Sequence, residues 1–335
     1  MAEPTTTPAT AFPGRAVVTG AAGFIGSHLT AALLRNGTSV VGIDRRDPAT
    51  APAALTDAAA DGSPLHHHVR TDLLTCALEP VMQGADVVFH LAGIPGVRPS
   101  WGRQFSEYVH TNILATQRVM EAAARTAVRR VVVASSSSVY GPAGGTPSAE
   151  NALPQPVSPY AVTKLAEEQL CFAHAARADC PTSVVALRYF TVYGPGQRSD
   201  MFIHRTLRAA LTGQPLRLYG DGQQRRDFTY VDDTVAATVA AATAPGGSGI
   251  VNVGGGSNAS LRDVVDIAQS LTGREIRIHR VTVCPGDVPA TLADPRHAQR
   301  LLGWKPSVDL RSGMFQQLHF LAAQEHRATV GHGEA

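Results

Sequence analysis

One stretch, RAVVTGAAGFIGSHLTAALLRNGTSVVGID at residues 15–44, constrains the fold more than any other. RAVVT is a short apolar run, of the kind that forms a strand buried on both faces. Glycines follow at 20, 23 and 26, and SHLTAALLRNG then reads as a helix ended by Gly37. TSVVGID is a second apolar strand, closing on Asp44. LHHHVRTD, ADVVFHLAG, VRRVVVASS, SVVALRYF and GIVNVGG supply further strands, and the longest helices fall near 105–125 and 159–177. Strands alternating with helices define an α/β chain, a doubly wound parallel sheet covered on both faces.

At 335 residues the chain is slightly past the roughly 250–300 at which single cores stop growing, so a second lobe is expected. Residues 14–190 read as a dinucleotide-binding unit of Rossmann type, with later returns near 228–255. Residues 191–227 and 256–325, richer in Gly, Pro and Arg, read mainly as a smaller C-terminal substrate-binding lobe. The Pro/Thr/Ala-rich residues 1–13 and the closing GHGEA are expected to be loose tails.

Charge and cysteine usage narrow the function class. Twenty-nine basic residues against 27 acidic ones leave a net charge of +2, with no basic stripe for nucleic acid or a membrane surface. No run approaches the ~18 apolar residues of a membrane span, and the N-terminus lacks a secretory pattern, so a cytoplasmic protein is expected. The cysteines at 76, 171, 180 and 284 form no CxxC pair, and free thiols are expected rather than a metal site or a disulfide. The three histidines at 66–68 lie on a strand, where successive side chains alternate faces, so no metal is expected there either.

The glycine turn sits between a strand and a helix, which is where a helix N-terminus meets a pyrophosphate. Gly20 permits the tight turn, Gly23 lets the backbone approach the phosphates, and Gly26 lets helix and strand pack closely. Asp44 lies 18 residues beyond Gly26. A carboxylate there accepts both hydroxyls of the adenosine ribose and repels a 2′-phosphate, which favours NAD over NADP. Arg45 and Arg46 follow it, and arginines nearby are what accommodates a 2′-phosphate. Asp72 and Leu73 either border the adenine or form an ordinary turn.

A second constellation carries the chemistry. Tyr160 and Lys164 are four apart and share a helix face. Tyrosine is a poor base at neutral pH unless positive charge supports its phenolate, and a lysine ammonium beside a nicotinamide would supply that charge. Pro159 suits the first turn of that helix. Some twenty residues earlier a strand ends in Ser135 to Ser138. No nucleophile elbow surrounds these serines, so hydride and proton transfer is expected rather than acyl transfer.

Together, TGAAGFIGSHL, the Asp72-Leu73 pair, HLAG at 90–93, SSSSVYG, YAVTK, LRYFTVYGP and RRDFTYVDD resemble the extended short-chain dehydrogenase/reductase superfamily, in its nucleotide-sugar epimerase/dehydratase branch. The resemblance runs from about residue 14 to about 320. It implies NAD as cofactor and adds Phe24, Ile25, Leu91, Ala92, Gly93, Asn112 and Ser135 to the cofactor contacts. It implies Ser136 as the serine that hydrogen-bonds the reacting sugar hydroxyl, beside Tyr160 and Lys164, with Ser137 near the sugar. Family dehydratases carry an acid immediately before the Val of VYG; this chain has Ser137 and Ser138 there, and an unactivated hydroxyl cannot expel water. A 4-epimerase remains, removing a hydride from C4 and returning it to the other face.

Thr191 after RYF, with Arg198 seven residues on, resembles the UDP-glucuronate 4-epimerases, where this pair holds the C5 carboxylate. A guanidinium makes paired charge-assisted bonds to a carboxylate that a neutral hydroxymethyl would not use. Arg198 could instead bind a phosphate or cap a loop. By the same resemblance Arg226 meets the diphosphate and Asp287 the uridine ribose. Arg98 lies near the sugar or diphosphate, or on a surface loop. Cys284 stands where several epimerases have an arginine. A homodimer is implied, paired through the helices at 105–125 and 159–177. The expected substrate is thus a UDP-sugar, UDP-glucuronate first. UDP-glucose or UDP-N-acetylglucosamine is the alternative, and a non-catalytic NAD-binding regulator the rival of another class.

Overall fold

The computed structural model describes residues 12–51, 65–142, 146–282 and 286–331. Cys284 and nearly all of both tails lie outside these residues. Strands β1 (Arg15–Thr19), β2 (Ser39–Asp44), β3 (His66–Arg70), β4 (Val87–His90), β5 (Arg130–Ser136) and β6 (Ser183–Tyr189) join Gly249–Val253 in one seven-stranded sheet. Its order is Gly249–Val253, β6, β5, β4, β1, β2, β3, and every pairing is parallel.

Alternation along the strands sends apolar side chains to both faces. Val17, Val41, Val88 and Val131 point to one face and pack with Val119, Met120 and Ala123 of the helix Ala115–Arg125. Ala16, Val18, Phe89, Val132 and Leu187 point to the other, towards Leu29 and Leu33 of the helix Phe24–Arg35 and Val235 of Val231–Thr243. The first helix begins at Phe24, three residues before the reading from sequence, so all of its first turn faces the glycine loop.

The 105–125 region is not one regular helix. Phe105–Tyr108 passes through a π-helical turn at Val109–Leu114 into Ala115–Arg125. The widened turn carries Asn112, fully buried, against the loop after β4. The Asn112 carboxamide accepts from Ile94 N at 2.7 Å and donates to Ile94 O at 3.2 Å and Thr163 Oγ1 at 3.0 Å. The other long helix, Pro159–Ala175, starts under an N-cap, with Ser158 Oγ accepting from Ala161 N at 3.2 Å and Pro159 in the first turn. On β3, the rings of His66 and His68 meet edge to face 6.3 Å apart, as the two-residue strand period requires.

Later segments build three two-stranded pieces. Thr191–Tyr193 pairs parallel with Phe228–Tyr230, Leu216–Tyr219 parallel with Ile278–Val281, and Arg225–Arg226 antiparallel with Ala259–Ser260. No described helix is long and apolar enough to cross a membrane.

Arg188 on β6 is the largest fully buried side chain. It donates from Nε and Nη2 to the two oxygens of Glu168 at 2.9 and 2.8 Å. Its guanidinium lies 4.6 Å from the centre of the Tyr140 ring. Ser135 at the end of β5 also donates to Glu168. This cluster joins two central strands to the helix Pro159–Ala175. Removing one partner of such a pair strands a buried charge. Glu168→Ala is therefore expected to lower stability by about 3–5 kcal/mol, read by urea unfolding of the purified protein; a loss below ~1 kcal/mol would contradict the assignment.

Candidate active site

The order of the central strands reverses between β1 and β4, so a crevice opens at their carboxyl ends. A cavity of about 660 Å³ occupies it. Its walls include Gly20, Gly23, Phe24, Ile25, Gly26, Asp44, Asp72, Leu73, Leu91, Ala92 and Gly93 at one end. Ser135, Ser136, Ser137, Tyr160 and Lys164 lie along it, and Thr191, Arg198, Arg226 and Asp287 complete it.

The glycine turn is built to receive a phosphate chain. Gly20 has φ of +71°, and a Cβ there would sit 2.8 Å from Ala92 N. A Cβ on Gly26 would meet Gly20 O at 2.0 Å, so the close packing this glycine allows is of the helix start on the turn itself. Asp44 is held by two backbone amides, accepting from Ala22 N at 3.0 Å and Arg46 N at 2.9 Å. Arg46 Nε lies 3.5 Å from its Oδ1, and Arg45 Nη1 3.6 Å from Asp72 Oδ2. The glycine cradle, the free helix N-terminus and the anchored carboxylate fit a dinucleotide.

Two residues expected at the site are not on its walls. Asn112 stands behind the loop and fixes it from below, as its bonds to Ile94 show. Arg98 donates to Asp287 at 2.8 Å and stacks 3.7 Å over the Tyr219 ring, so its charge orients a wall residue from outside. The bonds that hold each are long-range and leave no mark in local sequence.

At the reacting end, Ser136 caps the short turn Ser137–Tyr140, its Oγ accepting from Ser138 N at 3.2 Å. Tyr160 packs edge-on against Tyr108, with ring centres 6.2 Å apart. Lys164 is buried, its ammonium in contact with Glu167. Burial works against that charge, but Glu167 and then Tyr160 outweigh it and hold the lysine above its ordinary pKa. Arg198 is likewise kept charged: Asp200, accepting from Nε at 2.9 Å and Nη2 at 2.8 Å, overcomes the effect of burial. Burial lowers Arg226.

Sequence reasoning missed His90, Glu167, Glu168 and Arg188. The glutamates were detectable: Lys164, Glu167, Glu168 and Cys171 repeat at helical spacing, which marks one face. His90 gave no such signal. Burial and the Lys164 charge push it down to about 3, so it is neutral, bonded to Thr19 Oγ1 at 2.8 Å and Thr116 Oγ1 at 2.9 Å. Among the described residues no group of three or more His, Cys, Asp or Glu could hold a metal.

Known proteins share this fold. The model of the NAD dependent epimerase/dehydratase family matches residues 16–254. The chain belongs to that family. It is 41% identical to an uncharacterized UDP-glucose epimerase, YtcB, of Bacillus subtilis, over 92% of this chain and 98% of that one. A structure of MoeE5 with UDP-glucuronic acid and NAD superposes with a TM-score of 0.86 at 48% identity, covering 93% of this chain and all of the other. UDP-glucuronic acid 4-epimerase from Bacillus cereus, with UDP-glucuronic acid and NAD, gives 0.87 at 40%, covering 92% and 99%. The protein is an NAD-dependent nucleotide-sugar 4-epimerase.

If the anchored Asp44 carboxylate accepts from the adenosine ribose, Asp44→Ala removes that acceptor. NAD affinity should fall about 10- to 100-fold in a fluorescence titration, the scale of hydrogen bonds to a charged group; undiminished binding would remove Asp44 from the cofactor site.

Proposed function

We propose that this epimerase interconverts UDP-glucuronate and UDP-galacturonate. One observation carries the choice of a uronate: a charged guanidinium, Arg198, stands on the cavity wall with Thr191, in the same cavity as Tyr160. Asp200 occupies its Nε–Nη2 edge, which leaves Nη1 to meet a substrate carboxylate. The MoeE5 and Bacillus cereus structures with UDP-glucuronic acid support the reading by likeness.

NAD, when bound, supplies the acceptor and then the donor of the C4 hydride. The chain's own residues do the rest. Tyr160 as phenolate takes the C4 hydroxyl proton, directly or through Ser136, and returns it after the sugar turns. Lys164 supports the phenolate and holds the nicotinamide ribose. Gly20, Gly23 and Gly26 seat the pyrophosphate, and Asp44 the adenosine ribose. Arg226 and Asp287 hold the diphosphate and the nucleotide ribose. The 4-keto-uronate is a β-keto acid, which loses CO₂ when its carboxylate bond aligns with the carbonyl π system. Thr191 and Arg198 hold that bond near the ketone plane and so disfavour the loss. Ser137 and Ser138 offer no acid for elimination.

MoeE5 has also been solved with UDP-glucose, which keeps neutral sugars as the second reading. Residues 191–227 and 256–325 form the substrate side in this proposal. Two copies pair through the helices around 105–125 and 159–175, where Leu114 and Val162 are 45% and 48% exposed, and the enzyme works in the cytoplasm. Sedimentation at micromolar concentration tests the dimer: Leu114→Asp with Val162→Asp should convert it to monomer, whereas a parent already monomeric ends that part of the proposal.

Tyr160→Phe is expected to lower kcat by about 10²- to 10⁴-fold, followed as the galacto/gluco ratio by NMR. Arg198→Ala should raise KM for UDP-glucuronate at least about tenfold and leave UDP-glucose nearly unchanged. Equal losses on both sugars would defeat the uronate assignment.

A further inference from the structure

The helix Pro159–Ala175 buries two carboxylates side by side, and only one is fully matched. Glu168 has Arg188 and Ser135. Glu167 is 0% exposed, and its one ionic partner within contact is the ammonium of Lys164. Among the described residues, neither of its oxygens has a hydrogen-bond partner beyond that ammonium. Nothing in the chemistry above uses this group.

Its other neighbours do not replace that partner. From β4, His90 Nε2 lies 3.9 Å from Glu167 Oε1, but that ring is neutral. The Thr116 hydroxyl donates to Asn112 O at 2.8 Å, so its oxygen accepts from His90 Nε2, and Nδ1 is left to accept from Thr19. Cys171, one turn along, is kept protonated by burial and then by Glu167 itself. The Glu168 charge is met by Arg188 from β6. On the cavity side stand Tyr160, with Tyr108 packed on it, and the charged Arg198. Lys164 thus has a carboxylate behind it and a phenol in front.

We propose that Glu167 is a positioning residue of the reaction: it holds the Lys164 ammonium at the back of the cavity and keeps it charged while Tyr160 is a phenolate. The inference rests on the reading that Lys164 supports that phenolate and holds the cofactor ribose. Catalysis then needs the phenol deprotonated and the ammonium protonated together. Burial of a lysine by itself lowers its pKa by up to about 3–5 units, enough to discharge it near neutrality. An adjacent carboxylate with no competing cation opposes this once it is ionised; burial raises Glu167 to about 7, so it carries its charge across the alkaline range. Removing the carboxylate lets the proton leave Lys164 at lower pH, which brings the alkaline fall of activity down.

The test is kcat against pH, from about pH 7 to 11, for the NAD-loaded parent, E167Q, E167D and K164M. In E167Q the alkaline limb should move down by at least about one pH unit, with KM for the UDP-sugar within about twofold of the parent. E167D, which keeps the charge on a shorter stem, should lie between. A purely structural role for Glu167 would change yield or melting but leave the limb where it is. An E167Q profile that overlays the parent, or moves to higher pH, overturns the inference. Should E167Q not fold, the E167D limb decides: a downward shift supports the proposal and an unmoved limb overturns it. If K164M is as active as the parent, the reading of Lys164 fails and the inference with it. If K164M is inactive and E167Q overlays the parent, the inference alone fails.

Discussion

Two carboxylates on one turn of one helix organise the reacting end of this enzyme. Glu168 is bound to Arg188 of β6 and Ser135 of β5, which clamps the helix Pro159–Ala175 against the ends of two central strands. Glu167 faces Lys164 on the same helix. Buried charges in a low-dielectric interior are stable only when matched, so the Glu168–Arg188 pair leaves the helix little freedom to rotate or slide. Tyr160 and Lys164 are four apart on that helix, and Ser136 follows Ser135 in the chain. Their shared cavity is therefore set by the ion pairs as much as by the apolar packing.

The apolar packing decides where the cavity can be. A parallel sheet covered on both faces has no exposed flank, so polar groups gather at the strand ends. At the carboxyl ends of β1 and β4 the strand order switches direction, and the crevice opens between the connections that follow them. The glycine turn follows β1, the Leu91-Ala92-Gly93 loop follows β4, and the serines close β5. One end of the cavity thus presents backbone amides and an anchored carboxylate, and the other presents Tyr160, Lys164 and Arg198. In the proposed reading a dinucleotide spans that distance with its charged middle on the glycines.

Much of this was legible in the chain itself, for physical reasons particular to each element. The strands are short apolar runs and the turns carry glycine where φ must be positive, so both announce themselves locally. The spacing of Tyr160 and Lys164 is a property of any helix. The bonds that Asn112 and Arg98 make were not legible, because their partners, Ile94 and Asp287, are 18 and 189 residues away. The π-helical turn at Val109–Leu114 was read as ordinary helix, since a single widened turn barely disturbs hydrophobic periodicity. Glu167 and Glu168 look like surface charges in a list of residues, although their spacing from Lys164 places them on its face.

The sequence by itself determined the α/β class, the glycine turn, the acidic end of β2 and the spacing of the serines, Tyr160 and Lys164, because each is written in residue type and spacing within a few turns of chain. Only the tertiary structure decided which charges are buried and with whom. Lys164 pairs with Glu167, Glu168 with Arg188, and Asp287 with Arg98, while Asn112 holds the loop after β4. The strength of a charge depends on the water around it and the partner it meets, and both are set by segments far apart in the chain.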